Sequence, residues 1–357
     1  MKVVYLSDYP CSIAYGGKEV QMEGYRTALT AQGRGWDVRQ LDYWDRRGLE
    51  DAGIVHLFGH SAWFLQIVKA ARANNPQVRF VVSPTYYTER PAREALAGRL
   101  LRRLPMETYY SMRRRLFEAV DLIVVNSEAE KQQLLTIFHP GVASKVAVVM
   151  NAIEDDYASL DESDRGRFCD AHGVEPGYVL SVGFLDERKN TERLVTAFLE
   201  HHAALGRRLV LVGGYRFSDG PTRQRVQALI EGNPGPILHI PFLDRASVEL
   251  RSAYAACHAH ALPSRVETPG LSNIEALAFG KPLLVGDCPP VREYFKDVAV
   301  FCDPRSTADV GRALRAMCDA PSTSARAEEV AKRYTWRVMA ERLDGLYRSL
   351  MTPTPSV

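Results

Sequence analysis

The sequence predicts an α/β protein built from two doubly wound domains. A short apolar run at residues 1–7 leads through a glycine-bearing loop into a helix pattern and then a second strand, which is how a doubly wound sheet opens. The same strand-then-glycine punctuation returns at 178–183 and at 209–214. A length of 357 residues suits two domains, each with its own core.

The elements follow in order. Residues 1–7 (MKVVYLS) suit a buried parallel strand. After the loop containing Gly16 and Gly17, residues Met22, Tyr25 and Leu29 fall on one helix face, and Gly33 ends that helix. Further strands are expected at 36–41, 54–58, 78–83 and 122–126. His56 lies inside a strand pattern and reads as a packed, hydrogen-bonded side chain; His60 and Ser61 follow the strand end, where ligands approach. Residues 154–176 are polar and acidic and read as a linker. In the second half, strands are expected at 178–182, 209–212, 237–241, 258–262 and 298–301, with a helix over 245–257. Trp336, Met339, Leu343, Leu346, Tyr347 and Leu350 recur at helical spacing, and residues 352–357 read as a disordered tail.

Composition narrows the function classes. Hydrophobic residues make up 46% and charged residues 25%, with a net charge of +2, so nothing suggests a nucleic-acid-binding polyelectrolyte. Six scattered cysteines without a C-x-x-C pair read as reduced thiols of a cytoplasmic protein. The period of two in a strand splits the faces of Cys257, His258 and His260, putting Cys257 opposite the two histidines, which disfavours a metal site. The N-terminus runs straight into a strand with no signal peptide, and no apolar run spans a bilayer. Between residues 90 and 115 stand eight arginines and two glutamates, interleaved with leucine and tyrosine. Arg99, Arg102, Arg103, Arg113, Arg114 and Arg115 either face an anionic surface such as a membrane or pair with acids elsewhere in the chain.

The densest chemistry lies at 262–282, LPSRVETPGLSNIEALAFGKP. Pro269-Gly270 keeps Glu267 on a loop, while Glu275 is expected on the first turn of a helix stopped by Gly280 and Pro282. The backbone amides of 270–273 at that helix start would form an anion site. The alternative is a capping box, with Ser272 as N-cap and Glu275 reaching back to it.

Pro263-Ser264, Glu267, Gly270-Leu271, Glu275-Ala276 and Gly280-Lys281-Pro282 together resemble the signature of retaining glycosyltransferases of family 4, which have the GT-B fold. The resemblance covers nearly the whole chain and is strongest over 178–304. It implies two Rossmann-like domains facing across a cleft. These are an acceptor-side domain over 1–155, completed by a C-terminal helix at 336–351 that crosses back to it, and a nucleotide-sugar domain over 156–335. It implies transfer of a sugar from a nucleotide-diphosphate sugar to a hydroxyl acceptor with retention, needing no metal and no cofactor. The acceptor would be a glycan, a lipid-linked species or a small molecule, as in cell-surface polysaccharide or glycolipid assembly, with the enzyme cytoplasmic or peripheral at the inner face of the membrane. Glu267, Lys189 and Arg188 take the catalytic positions. Gly16, Gly17, Gly214, Phe242, Leu243, Pro269, Gly270, Leu271, Ser272 and Glu275 take the donor-binding ones, with Glu275 on the ribose.

The sequence departs from the pattern twice. Phe184 stands where the family has an arginine, with Arg188 as its nearest substitute, and Ser83-Pro84-Thr85 stands where many relatives carry a histidine. These departures keep a catalytically silent nucleotide-sugar-binding protein open as an alternative. A nucleotide-cofactor oxidoreductase would share the sheet class but lacks its G-x-G-x-x-G loop.

Overall fold

The computed structural model describes residues 1–13, 15–101, 107–138, 140–321 and 324–352. The chain divides into two compact units, 1–154 with 334–357, and 155–333.

Unit 1 runs β1 (Lys2–Ser7), α1 (Gly17–Ala31), β2 (Asp37–Gln40), β3 (Ala52–Phe58), α2 (Phe64–Asn74), β4 (Arg79–Ser83), α3 (Pro91–Leu101), α4 (Tyr109–Ala119), β5 (Leu122–Val125), α5 (Glu128–Phe138) and β6 (Val146–Val148). All its strands are parallel, in the order β2-β1-β3-β4-β5-β6. Central strands such as β5 (LIVV) are buried on both faces, which is why they read as apolar runs and not as alternation. The strand order reverses between β1 and β3, and ligands of such sheets bind beyond the carboxyl ends at that point.

Unit 2 begins earlier than the expected linker allows. Residues 155–176 are part of it: α6 (Arg167–His172) buries Phe168 completely, and the Phe168 amide donates to Ser252 Oγ at 3.0 Å. Single buried apolar residues in an acidic run give no periodic signal, so the sequence concealed this helix. The unit continues with β7 (Val179–Val182), α7 (Thr191–Leu205), β8 (Leu209–Val212), α8 (Gly220–Glu231), β9 (Ile237–Ile240), α9 (Val248–Ala256), β10 (Ala259–Leu262), α10 (Leu271–Ala278), β11 (Leu283–Gly286), α11 (Pro289–Phe295), β12 (Ala299–Cys302), α12 (Thr307–Cys318) and α13 (Ser324–Arg333). Its parallel sheet has the order β12-β11-β10-β7-β8-β9, which reverses between β7 and β10. At the strand ends Gly213 (φ +145°) is required sterically, because a Cβ there would lie 2.0 Å from the Gly183 carbonyl oxygen.

The last helix, α14 (Trp336–Met351), belongs to unit 1. Its apolar stripe packs there: the Trp336 indole covers α1 at Gly24, where a Cβ would come within 2.3 Å of the ring, and meets Tyr25 edge-on. Asp344 accepts from Trp36 Nε1 at 2.7 Å and pairs with Arg34 at 2.9 Å. Tyr347 reaches His56 Nδ1 at 2.6 Å, while His56 Nε2 contacts Ser83 Oγ at 2.9 Å. Burial pulls the His56 pKa down to about 3, so it is a neutral packing residue.

Candidate functional site

The site residues of unit 2 converge at the switch point between β7 and β10. Downstream of β7, Asp186 organises the turn by accepting the Lys189 amide at 2.5 Å. Asn190 adopts the left-handed region (φ +62°), which asparagine tolerates, and its Nδ2 donates to the carbonyls of Pro263 and Pro304 at 3.0 and 2.7 Å. These bonds aim Lys189 and Arg188 at the loop that follows β10. Lys189 Nζ lies 2.6 Å and Arg188 Nη1 3.0 Å from Glu267 Oε2. Ser264 Oγ donates to the same oxygen at 3.3 Å.

Glu267 is buried and Lys189 mostly so, their side chains 10% and 12% exposed, while that of Arg188 is 48% exposed. Burial pushes the Glu267 carboxyl up, but Lys189 and then Arg188 outweigh it and hold the pKa at about 2. Burial pulls the Lys189 ammonium below the usual lysine range, against the attraction of Glu267. Two cations thus share the Glu267 carboxylate, with Asp186 as a second acid close enough to act on both.

Beside them α10 begins at Gly270 (φ +88°), its N-cap. This corrects the capping-box expectation. Ser272 is the second helical residue, and its Oγ is buried with no partner among the described residues. The Asn273 amide turns back to Gly270 O at 3.1 Å, so not every amide over 270–273 is open. Glu275 lies on the second turn, not the first, and caps nothing. Its carboxylate accepts from Arg245 Nε and from Tyr254 OH, each at 2.7 Å. Arg245 also stacks over Tyr157 at 5.3 Å. A carboxylate offers about four lone-pair sites, so two are left for a ligand.

The remaining predicted positions are more dispersed. Gly214 lies two residues beyond β8, and its carbonyl accepts the Leu185 amide at 2.9 Å. Phe242 is exposed and Leu243 half-buried beyond β9. Pro269 is buried and Leu271 half-buried at the start of α10. Phe184 is partly exposed with Arg216 over its ring at 4.9 Å. Cys257 Sγ donates to Tyr254 O, His258 contacts Cys318 O at 2.7 Å, and His260 is fully buried; they form no common centre.

In unit 1, Gly16 is the N-cap of α1 and Gly17 its first residue. Gly16 donates its amide to Glu19 Oε2 at 3.0 Å, and Lys18 pairs with Asp8. The arginine stretch is not one amphipathic helix but two. Arg102 and Arg103 lie outside the described residues. Arg114 pairs with Glu118 and Arg115 with Glu107, both at 2.6 Å, and Arg113 stacks on Tyr86 and Tyr109. Three of the six are therefore engaged internally, whereas Arg99 is exposed near the exposed Leu96 and Leu100.

Sequence reasoning missed Arg245, Tyr254, Asp186 and Asn190. Only the D-x-x-K-N run at 186–190, a turn-forming pattern, could have flagged the last two.

The two reversing parallel sheets define a GT-B chain, and solved structures agree on the fold. Sucrose-phosphate synthase from Thermosynechococcus elongatus superposes with a TM-score of 0.73 at 18% identity, covering 98% of this chain and 99% of that one. HepE of Anabaena, solved with UDP and glucose, gives 0.71 at 15%, covering 98% and 100%. Residues 165–334 match the family model of glycosyl transferases group 1. It is 26% identical over 245 residues to D-inositol 3-phosphate glycosyltransferase of Corynebacterium diphtheriae, covering 65% of this chain and 57% of that protein. It is 23% identical over 247 residues to the serotype-specific mannosyltransferase WbdA of Escherichia coli, covering 66% and 30%. The chain thus spans little more than half, or less, of these two relatives.

Proposed function

We propose that the protein is a glycosyltransferase that moves a sugar from a nucleotide-diphosphate sugar to a hydroxyl acceptor with retention, as in surface glycan assembly. The observation that carries this reading is the Lys189–Glu267–Arg188 cluster beside the start of α10, at the switch point of unit 2. Cleavage of the anomeric bond sends its electron pair to a phosphate oxygen. Lys189, Arg188, the buried Ser272 hydroxyl and the α10 terminus are the groups that would meet that charge. The acceptor oxygen bonds to the anomeric carbon, and its proton passes to the departing phosphate oxygen. Glu267 would hold sugar hydroxyls and Glu275 the ribose.

A thermal-shift screen with UDP-, GDP- and ADP-sugars tests the donor, because ligand binding raises apparent stability by about 2.7 kcal/mol at a hundredfold excess over Kd. With the stabilising donor, nucleoside diphosphate release should persist in EDTA. Binding without release identifies a silent binder, and activity restored only by Mg²⁺ or Mn²⁺ ends the metal-independent reading.

Exposed Leu96 and Leu100 beside Arg99 on α3, and exposed Tyr109 at the start of α4, favour an acceptor presented on an anionic lipid surface. No described helix is long and apolar enough to cross a membrane. Co-sedimentation with anionic vesicles should occur at low salt and weaken as salt rises. Protein left in the supernatant at low salt would refute it.

A further inference from the structure

The cations of the donor cluster are balanced by acids of their own. Lys189 and Arg188 pair with Glu267, and Asp186 acts on both as well. A diphosphate arriving there needs further positive charge. Arg216, just beyond β8 in the same unit, is exposed, and no ion pair or side-chain hydrogen bond holds its guanidinium among the described residues. The acids of the two neighbouring loops are committed elsewhere. Glu187 accepts the Ser218 amide at 2.9 Å and its hydroxyl at 2.8 Å, and Asp219 accepts the Thr222 amide at 2.7 Å as N-cap of α8.

The backbone fixes where Arg216 stands. The ladder between β7 and β8 continues past both strands: the Leu185 amide donates to Gly214 O and the Arg216 amide to Leu185 O, each at 2.9 Å. Leu185 and Tyr215 face each other across this extension, and both pack on the core of unit 2. Side chains alternate along extended chain, so Phe184 and Arg216 share the opposite face. There the Arg216 guanidinium stands over the partly exposed Phe184 ring, 4.9 Å from its centre. Phe184 occupies the position at which the family pattern has an arginine, and the cation absent from that position is brought back by the next strand end. The same turn runs along Lys189, whose Cε would lie 3.4 Å from a Cβ at Gly183. A ring contact occupies one face of a guanidinium and leaves its N–H edges, which match phosphate oxygens two at a time.

We propose that Arg216 binds the donor diphosphate, with Phe184 as the positioning residue that holds its guanidinium at the strand ends. This deepens the glycosyltransferase reading above and rests on it. Resting the long side chain on a ring restricts it before the ligand arrives, so less freedom is lost on binding.

The test compares Arg216→Gln with Arg223→Gln. Arg223 is exposed too and stands over Tyr215 at 5.7 Å, so its loss removes the same charge and the same kind of ring contact beside the core-facing member of the pair. Affinities are measured for UDP, GDP and ADP, each beside its parent nucleoside. Arg216→Gln is expected to weaken the preferred diphosphate about tenfold, the scale of one charge-assisted hydrogen bond, with the nucleoside changed less than twofold. Arg223→Gln should bind both as wild type does. Phe184→Leu should weaken the diphosphate severalfold alone but less than twofold further in the Arg216→Gln background, because the ring acts through the arginine. Wild-type diphosphate affinity in Arg216→Gln overturns the proposal. So do equal losses in the two glutamine variants, which mark net charge only, an equal loss for the nucleoside, and additive losses from Phe184→Leu and Arg216→Gln. If wild type binds none of the three diphosphates, the glycosyltransferase reading itself fails and takes this proposal with it.

Discussion

Replacing Glu267 with glutamine is expected to lower nucleoside diphosphate release by about a hundredfold or more, the scale of losing one preorganised charged contact at the reacting centre. The same variant should bind the nucleoside diphosphate at least as tightly as wild type. Glu267 is the only acid paired with both Lys189 and Arg188 among the described residues, and removing its charge leaves both cations for the phosphates. A carboxylate that merely holds the fold would lose stability without this split between binding and turnover. The pH dependence follows from the same pairing. The Glu267 pKa is depressed to about 2 in the folded protein, so its contribution of roughly 3 kcal/mol is present above the ordinary glutamate range and is lost as pH falls toward 2. Acid unfolding of wild type should therefore be steeper than that of Glu267→Gln, read by fluorescence melts between neutral and acidic pH. Identical acid profiles, or a variant with normal turnover, would remove Glu267 from the chemistry.

Glu275→Gln is the second large effect. Glutamine fits the helix, and since Glu275 caps nothing, the cap is not at issue. The loss falls on Arg245 and Tyr254, whose 2.7 Å bonds to the carboxylate weaken when the charge is removed. Hydrogen bonds to charged groups contribute about 1.5–3 kcal/mol, so a melting point lowered by a few degrees is expected. If the free lone pairs of Glu275 hold the ribose, donor affinity falls by tenfold or more as well, measured by calorimetry with the nucleoside diphosphate. A lowered melting point with unchanged affinity would leave Glu275 as a strut for Arg245 and Tyr254.

These two residues show how far the sequence reaches. Pro269-Gly270 before an apolar helix and Gly280-Lys281-Pro282 after it are local stop and start signals. They set Glu267 on a loop and Glu275 on α10 without reference to the rest of the chain. Most of the strands were legible from local signals too, because a doubly covered parallel strand is a continuous apolar run. The capping-box reading failed because Ser272-x-x-Glu275 satisfies the local pattern equally well, and only the backbone at Gly270 decides which residue caps.

What the sequence determined by itself was the class of fold, the alternation of elements and the placement of one acid on a loop and one on a helix, all carried by patterns within about twenty residues. The tertiary structure alone decided which cations those carboxylates meet. Lys189 and Glu267 stand 78 positions apart, joined because β7 and β10 are neighbours in the sheet, and Arg245 and Glu275 stand 30 apart. It likewise decided that Arg114 and Arg115 pair with nearby acids, that residues 155–176 belong to unit 2, and that Arg216 stands over the Phe184 ring. Charge pairing and ring contacts depend on distance through space, and no periodicity along the chain encodes that distance.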